Sequence, residues 1–118
     1  MRGIQVSTAL QDDVVIATLT GDIDLLNHEE VGRELFSAAL AGGPRLVANL
    51  SAVSYIDSNG VRMLFGLARE LDHSRIGWTV VLGDGSPLHR LFKVTNFDEV
   101  AKIFPSVEEA VDALRGRT

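Results

Sequence analysis

Arg45-Leu46-Val47-Ala48-Asn49-Leu50-Ser51-Ala52-Val53-Ser54-Tyr55-Ile56-Asp57-Ser58-Asn59-Gly60-Val61-Arg62-Met63-Leu64 contains a change of hydrophobic period. Leu46, Val47, Ala48 and Leu50 form a short apolar run between Pro44 and Ser51, which suits an interior strand of a mostly parallel sheet. Val53, Tyr55 and Ile56 extend the apolar path to a turn. Beyond Gly60 the spacing becomes helical: Val61, Leu64, Phe65, Ala68 and Leu71 form the stripe of a helix lying on a core. Asn59-Gly60 between apolar runs would by itself suggest a tight hairpin. The helical period that follows makes Asp57-Ser58-Asn59-Gly60 a strand-to-helix elbow instead.

Either Asp57 or Ser58 can cap that helix by accepting hydrogen bonds from its first free amides, a role worth about 1 kcal/mol. Capping alone would account for both residue types. The same geometry gives Ser58 a second capacity, because first-turn amides and the positive end of the helix dipole favour a dianion. Phosphorylation of Ser58 would add roughly −1.5 to −2 charges to one surface patch and leave the fold intact.

At 118 residues the chain is read as one domain, 1–118, against the roughly 100 to 200 residues of a typical domain. A hydrophobic fraction of 46% supplies a core, and a formal charge of −5 with no basic stripe argues against binding nucleic acid. The absence of cysteine excludes disulfides, thiolate metal sites and cysteine nucleophiles. His28, His73 and His89 share no helical face, so a histidine metal site has little support. No apolar run approaches the roughly 20 residues of a membrane span, and the N-terminus lacks a signal-peptide core. A cytoplasmic protein without membrane insertion is expected.

From the N-terminus, Ile4 to Leu10 and Val14 to Thr20 read as two strands of a hairpin, with Gly21 breaking the second. Asn27 and Glu30 have the spacing of a capping box, with Leu26 and Val31 as a hydrophobic staple. The helix they start continues through Leu35 and Phe36 to Gly42-Gly43-Pro44. After the elbow helix, Trp78 to Leu82 favours a strand, and Ser86 and Pro87 suit the N-cap and first position of a short helix carrying Leu88, Leu91 and Phe92 inward. Val100 to Phe104 reads as a last strand, and Ser106 with Glu109 as the capping box of a closing helix.

Alternating strands and helices from Val14 onward place the carboxyl ends of parallel strands on one edge, where partners usually engage. Three loops would meet there: Gly21 to Asp24, Asp57 to Gly60, and Gly83 to Ser86. Asp22, Asp24, Asp57 and Asp84 would make this rim acidic around Ser58, suiting a partner that offers Arg or Lys. A turn or capping role is the alternative for each aspartate and the favoured one for Asp22 and Asp84, whereas Asp57 is the aspartate singled out for the site. Arg62 points off the apolar stripe, close enough to touch a docked partner. Met63 widens that stripe or, if exposed, offers an adaptable apolar contact.

Leu50 to Val61 resembles the signature of the STAS domain family, typified by bacterial anti-sigma factor antagonists, in which an aspartate, a serine, a second hydroxyl residue and a glycine follow an apolar strand. Gly21 to Asp24 and Ser86 to Phe92 also fall where that family carries similar segments. The resemblance implies an α/β fold with a mixed four- to five-stranded sheet, about four helices and an opening β-hairpin. It also implies that Ser58 is the phosphoacceptor, and the common rim makes Asp22, Asp24, Asp57, Ser58, Asn59, Gly60, Arg62 and Met63 the expected partner contact. The unphosphorylated protein would bind an anti-sigma factor serine kinase and so release a sigma factor. Phosphorylation would end binding and a serine phosphatase would reset it, with ATP and magnesium belonging to the kinase and no cofactor to this chain. Asn59 departs from the pattern by standing where a second hydroxyl is usual. An alternative within the family is a phosphorylation-independent interaction subunit of a stress-signalling or lipid-transport complex.

Enzymatic readings fare worse. No histidine lies in a rim loop to activate Ser58 as a nucleophile, and Gly83-Asp84-Gly85 lacks the lysine of a response-regulator receiver.

Overall fold

The computed structural model describes residues 3–43 and 45–116. Ile4–Gln11 (β1) and Val14–Ile23 (β2) form the expected hairpin, turning through Asp12-Asp13 with Asp12 at φ 59°. The chain continues through α1 (His28–Gly42), β3 (Arg45–Ile56), α2 (Ser58–His73), β4 (Gly77–Val81) and α3 (Leu88–Val94). A 3-10 turn at Phe97–Glu99, β5 (Lys102–Phe104) and α4 (Val107–Leu114) complete it. The five strands form one mixed sheet in the order β1-β2-β3-β4-β5, antiparallel between β1 and β2 and parallel elsewhere. β3 is therefore the central strand.

Alternation along the strands divides the core into two layers. Val15, Ala17 and Leu19 of β2 join Leu46, Ala48 and Leu50 of β3 under Val31 and Leu35 of α1 and Leu64, Leu67 and Leu71 of α2. On the opposite face, Val14, Ile16, Val47 and Val81 meet Ala110 and Val111 of α4. Phe97 anchors the far end of the first layer, its ring centroid 5.5 Å from Phe65, 6.0 Å from Trp78 and 4.8 Å from Phe92. Nothing in the local spacing singles out Phe97, because it sits in a turn.

Several local expectations are corrected. Gly21 does not end β2 but lies inside it at φ 122°, and a Cβ there would fall 1.9 Å from the Gly3 carbonyl oxygen. Only glycine lets the two strands stay close enough for the Asp22 amide to donate to that oxygen at 3.0 Å. Tyr55 does not continue the apolar path. The β2/β3 register shifts twice, between Thr18 and Thr20 and between Gly21 and Asp22, so Val53 and Ile56, three residues apart, both face the core while Tyr55 turns outward. The buried face of α2 runs through Gly60, Leu64, Leu67 and Leu71, with Val61, Phe65 and Ala68 only partly covered.

The capping box at Asn27 and Glu30 is absent: Asn27 occupies the cap position of α1, but its side chain makes no cap bond. The staple is absent too, since Leu26 is 92% exposed while Val31 is buried. At α3 the helix begins one residue later than expected, with Pro87 at the cap position and the Ser86 hydroxyl accepting from Leu88 N at 3.1 Å. β5 starts at Lys102, not Val100. Ser106 does cap α4, accepting from Glu109 N at 3.2 Å. Pro44, expected to terminate α1 with Gly42 and Gly43, lies outside the described residues.

Candidate functional site

Asp57 leaves β3 in an extended conformation, and its carboxylate joins three segments. Oδ1 accepts from the Gly60 amide at 3.0 Å, closing the first turn of α2, and Oδ2 accepts from the Leu25 amide at 3.0 Å, tying in the loop after β2. Its own amide donates to the Ile23 carbonyl at 3.1 Å. Of the two candidate caps, Asp57 is thus the one used. The Gly60 amide bond is the main cause of a carboxyl pKa held below the usual aspartate value; partial desolvation opposes it, and Asn59 and the Leu25 amide assist.

With the cap supplied by its neighbour, Ser58 is the first residue of α2 and is exposed. Its hydroxyl has no hydrogen-bond partner among the described residues. Gly60 is sealed beneath it: a Cβ there would lie 2.5 Å from Ile56 Cγ2 and 2.9 Å from Ile23 Cγ2. The glycine therefore lets α2 start directly on the ends of β2 and β3, which fixes the height at which Ser58 emerges.

The other predicted residues divide by exposure. Asp22 is buried, 6% exposed, in β2 opposite Tyr55. Asp24 is half-buried and shapes its own loop, its Oδ1 accepting from Leu26 N at 3.0 Å. Asn27 completes that loop, accepting from Asp24 N at 2.9 Å and donating to the Asp22 carbonyl at 2.8 Å. Arg62 is exposed one turn beyond Ser58, and Met63 is half-buried against α1, where a Cβ at Gly32 would lie 3.0 Å from its Cγ. Between α1 and α2 runs an open groove of about 460 Å³ whose lining includes Asn59, Arg62 and Met63 together with His28 and Arg33.

Only two of the three expected rim loops meet. Pairing of β3 with β4 ends at Asn49 and Val81, and the third loop is held by the Gly83 amide donating to Ser51 Oγ at 3.0 Å. Ser51 lies six residues before Asp57, roughly 20 Å of extended strand away, so Asp84 contributes little to the charge around Ser58.

Three large apolar side chains on the segments that Asp57 joins lie exposed. Leu25 is 64% exposed, Leu26 92% and Tyr55 52%, and the Leu25 amide is bonded to Asp57 itself. Leu25-Leu26 between two loop-forming polar residues was the available signal, since neither leucine continues a helical stripe.

The Asp57 network carries a stability expectation. Asp57→Ala should cost about 1 to 2 kcal/mol through loss of the cap, readable by denaturant unfolding. Asp57→Asn should retain the Gly60 bond but lose the second acceptor facing Leu25. Because the folded pKa of Asp57 is depressed, its stabilisation is present above the unfolded value and lost as pH falls through the folded one. Wild-type Tm should therefore drop more steeply than that of Asp57→Asn below about pH 4, and parallel Tm profiles would refute this role.

The STAS domain family model matches residues 5–110. The anti-sigma-F factor antagonist RsfB of Mycobacterium tuberculosis is 27% identical over 115 residues, covering 96% of this chain and 91% of RsfB. An anti-sigma factor antagonist from Mycobacterium paratuberculosis superposes with a TM-score of 0.84 at 24% identity, over 96% of this chain and 95% of that one. The anti-sigma factor antagonist SpoIIAA shares the fold in its unphosphorylated form, with a TM-score of 0.74 at 20% identity over 98% of this chain and 99% of SpoIIAA.

Proposed function

We propose, for a chain that belongs to the STAS domain family, the role of an anti-sigma factor antagonist switched by phosphorylation. In the unphosphorylated state it binds an anti-sigma factor serine kinase and thereby frees a sigma factor. Transfer of phosphate to Ser58 ends that binding, and a serine phosphatase restores it. The observation that carries the reading is the exposed Ser58 hydroxyl at the first position of α2, relieved of capping duty by Asp57. A phosphate there would meet first-turn amides and the positive helix end, so it need not disturb the core. Ser58, Asn59, Arg62 and Met63 form the contact surface in this reading. Asp57, Gly60, Asp22 and Asp24 shape it from beneath.

Incubating the protein with candidate anti-sigma kinases and ATP, then mapping phosphate by mass spectrometry, tests the reading. Modification is expected at Ser58 alone and absent from Ser58→Ala. Phosphate at another residue, or none with a kinase that binds, would overturn the switch. Asn59, in place of a second hydroxyl, favours one rival: a STAS interaction subunit working without phosphate in a stress-signalling or lipid-transport complex. That rival is selected if binding survives Ser58→Asp unchanged.

The exposed leucines add a further expectation. Leu26→Asp and Tyr55→Ser should each lower affinity for the partner by about tenfold, the loss of roughly 1.4 kcal/mol of apolar burial. Tm should stay within about 2 °C of wild type, because neither side chain is in the core. Unchanged affinity in both variants would place the docking surface elsewhere.

A further inference from the structure

The sheet has two edges, and they differ in how they meet solvent. β5 is three residues long, carries Lys102 and runs into Pro105, all features that discourage another strand from pairing. β1 has eight residues, Ile4-Gln5-Val6-Ser7-Thr8-Ala9-Leu10-Gln11, with no charge, no proline and an unbroken register against β2.

The register fixes which of its backbone groups are free. The Asp22 amide donates to the Gly3 carbonyl, and β1 residues pair with β2 at constant offset as far as Gln11 opposite Val14. In an antiparallel ladder the hydrogen-bonded residues alternate, so Gln5, Ser7, Ala9 and Gln11 bond inward. Ile4, Val6, Thr8 and Leu10 then turn one donor and one acceptor each toward the open edge. These four are symmetric about Ser7.

We propose that β1 is the contact of a weak two-fold homodimer, its strands pairing antiparallel about Ser7 with Ile4 opposite Leu10, and Val6 opposite Thr8, of the second copy. In that register all the outward amides and carbonyls from Ile4 to Leu10 are paired. Leu10, 63% exposed on the α1 side, gains an isoleucine as cross-strand neighbour. Two copies of charge −5 repel overall, yet the contact strand is uncharged and the aspartates at the hairpin tip are neutralised within the chain, Asp12 by Arg115 and Asp13 by Arg45. Eight residues a side fall well below the roughly 20 to 30 of a standard interface, so the dimer is a weak one. The contact lies at the sheet edge remote from α2 and does not depend on the anti-sigma reading.

Two measurements on the full chain test this. Sedimentation velocity should show a monomer–dimer equilibrium between micromolar and millimolar concentrations, with Thr8→Lys moving its midpoint at least tenfold higher. A wild-type protein that stays monomeric up to millimolar concentration overturns the proposal. The second measurement reads the register in a chain that lacks native cysteine. Ser7→Cys places thiols on a non-hydrogen-bonded pair with Cα atoms about 4.5 Å apart, within disulfide range, and mild oxidation should give a covalent dimer. Ala9→Cys leaves its thiols offset by four residues, about 13 Å along the strands, and should cross-link at least tenfold more slowly. Equal rates for the two variants would overturn the two-fold about Ser7.

Discussion

Ser58→Asp is expected to weaken binding to the proposed anti-sigma partner by about 30-fold or more, while Ser58→Ala binds like wild type. Leaving a carboxylate desolvated and unpaired at an interface costs about 2 to 5 kcal/mol, and the lower figure already corresponds to roughly 30-fold. An aspartate carries one charge against the phosphate's nearly two, so the variant should sit at the low end and the phosphoprotein beyond it. The same substitution acts oppositely on the fold. A carboxylate in the first turn gains about 0.3 to 1 kcal/mol from the helix dipole, so Ser58→Asp should unfold at or slightly above the wild-type Tm. Calorimetric titration beside a melting curve separates the two effects. An affinity loss accompanied by a lowered Tm would mean damage to the elbow, and equal affinity would mean that charge at Ser58 does not control docking.

Gly60→Ala is expected to destabilise the protein by about 1 to 2 kcal/mol, against the usual direction of a glycine-to-alanine change in a helix. Alanine would ordinarily gain up to about 1 kcal/mol there, and less in a first turn. Here its Cβ would meet Cγ2 atoms of Ile23 and Ile56, both β-branched and stiff at χ1, and forcing extra volume into such a site costs about 1 to 3 kcal/mol. Overpacking outweighs propensity because both isoleucines are stiff at χ1 and stand opposite each other at the ends of paired strands. The strain should lift the first turn of α2, so partner affinity should fall with stability. Chemical denaturation reads the first effect, and a variant as stable as wild type would show that the elbow has slack.

Strand and helix identities were legible because they rest on local periodicity. The run from Leu46 to Leu50 and the spacing beyond Gly60 determined a strand, an elbow and a helix before any contact was known, and the motif placed Ser58 at their junction. The order of elements was enough to expect a mixed sheet opening with a hairpin. Local patterns misled where one residue could serve two purposes. Asn27 and Glu30 have the spacing of a capping box, yet the Asn27 amide is drawn back to Asp22 and Asp24 because that loop has its own unpaired backbone groups. Leu26 has the spacing of a staple and lies in solvent.

By itself, then, the sequence determined the kinds of element, their order, the family resemblance and the hydroxyl at the elbow, all of which depend on neighbours within about a dozen residues. Tertiary structure decided the rest: that Asp57 and not Ser58 caps α2, that Asp22 is buried, that the third loop stops at Ser51, and that Leu25, Leu26 and Tyr55 are exposed on the segments Asp57 joins. Each of those outcomes depends on register between strands distant in sequence. Two register shifts between β2 and β3 set which side chains of β3 face outward, and no local pattern encodes the partner strand against which they are counted.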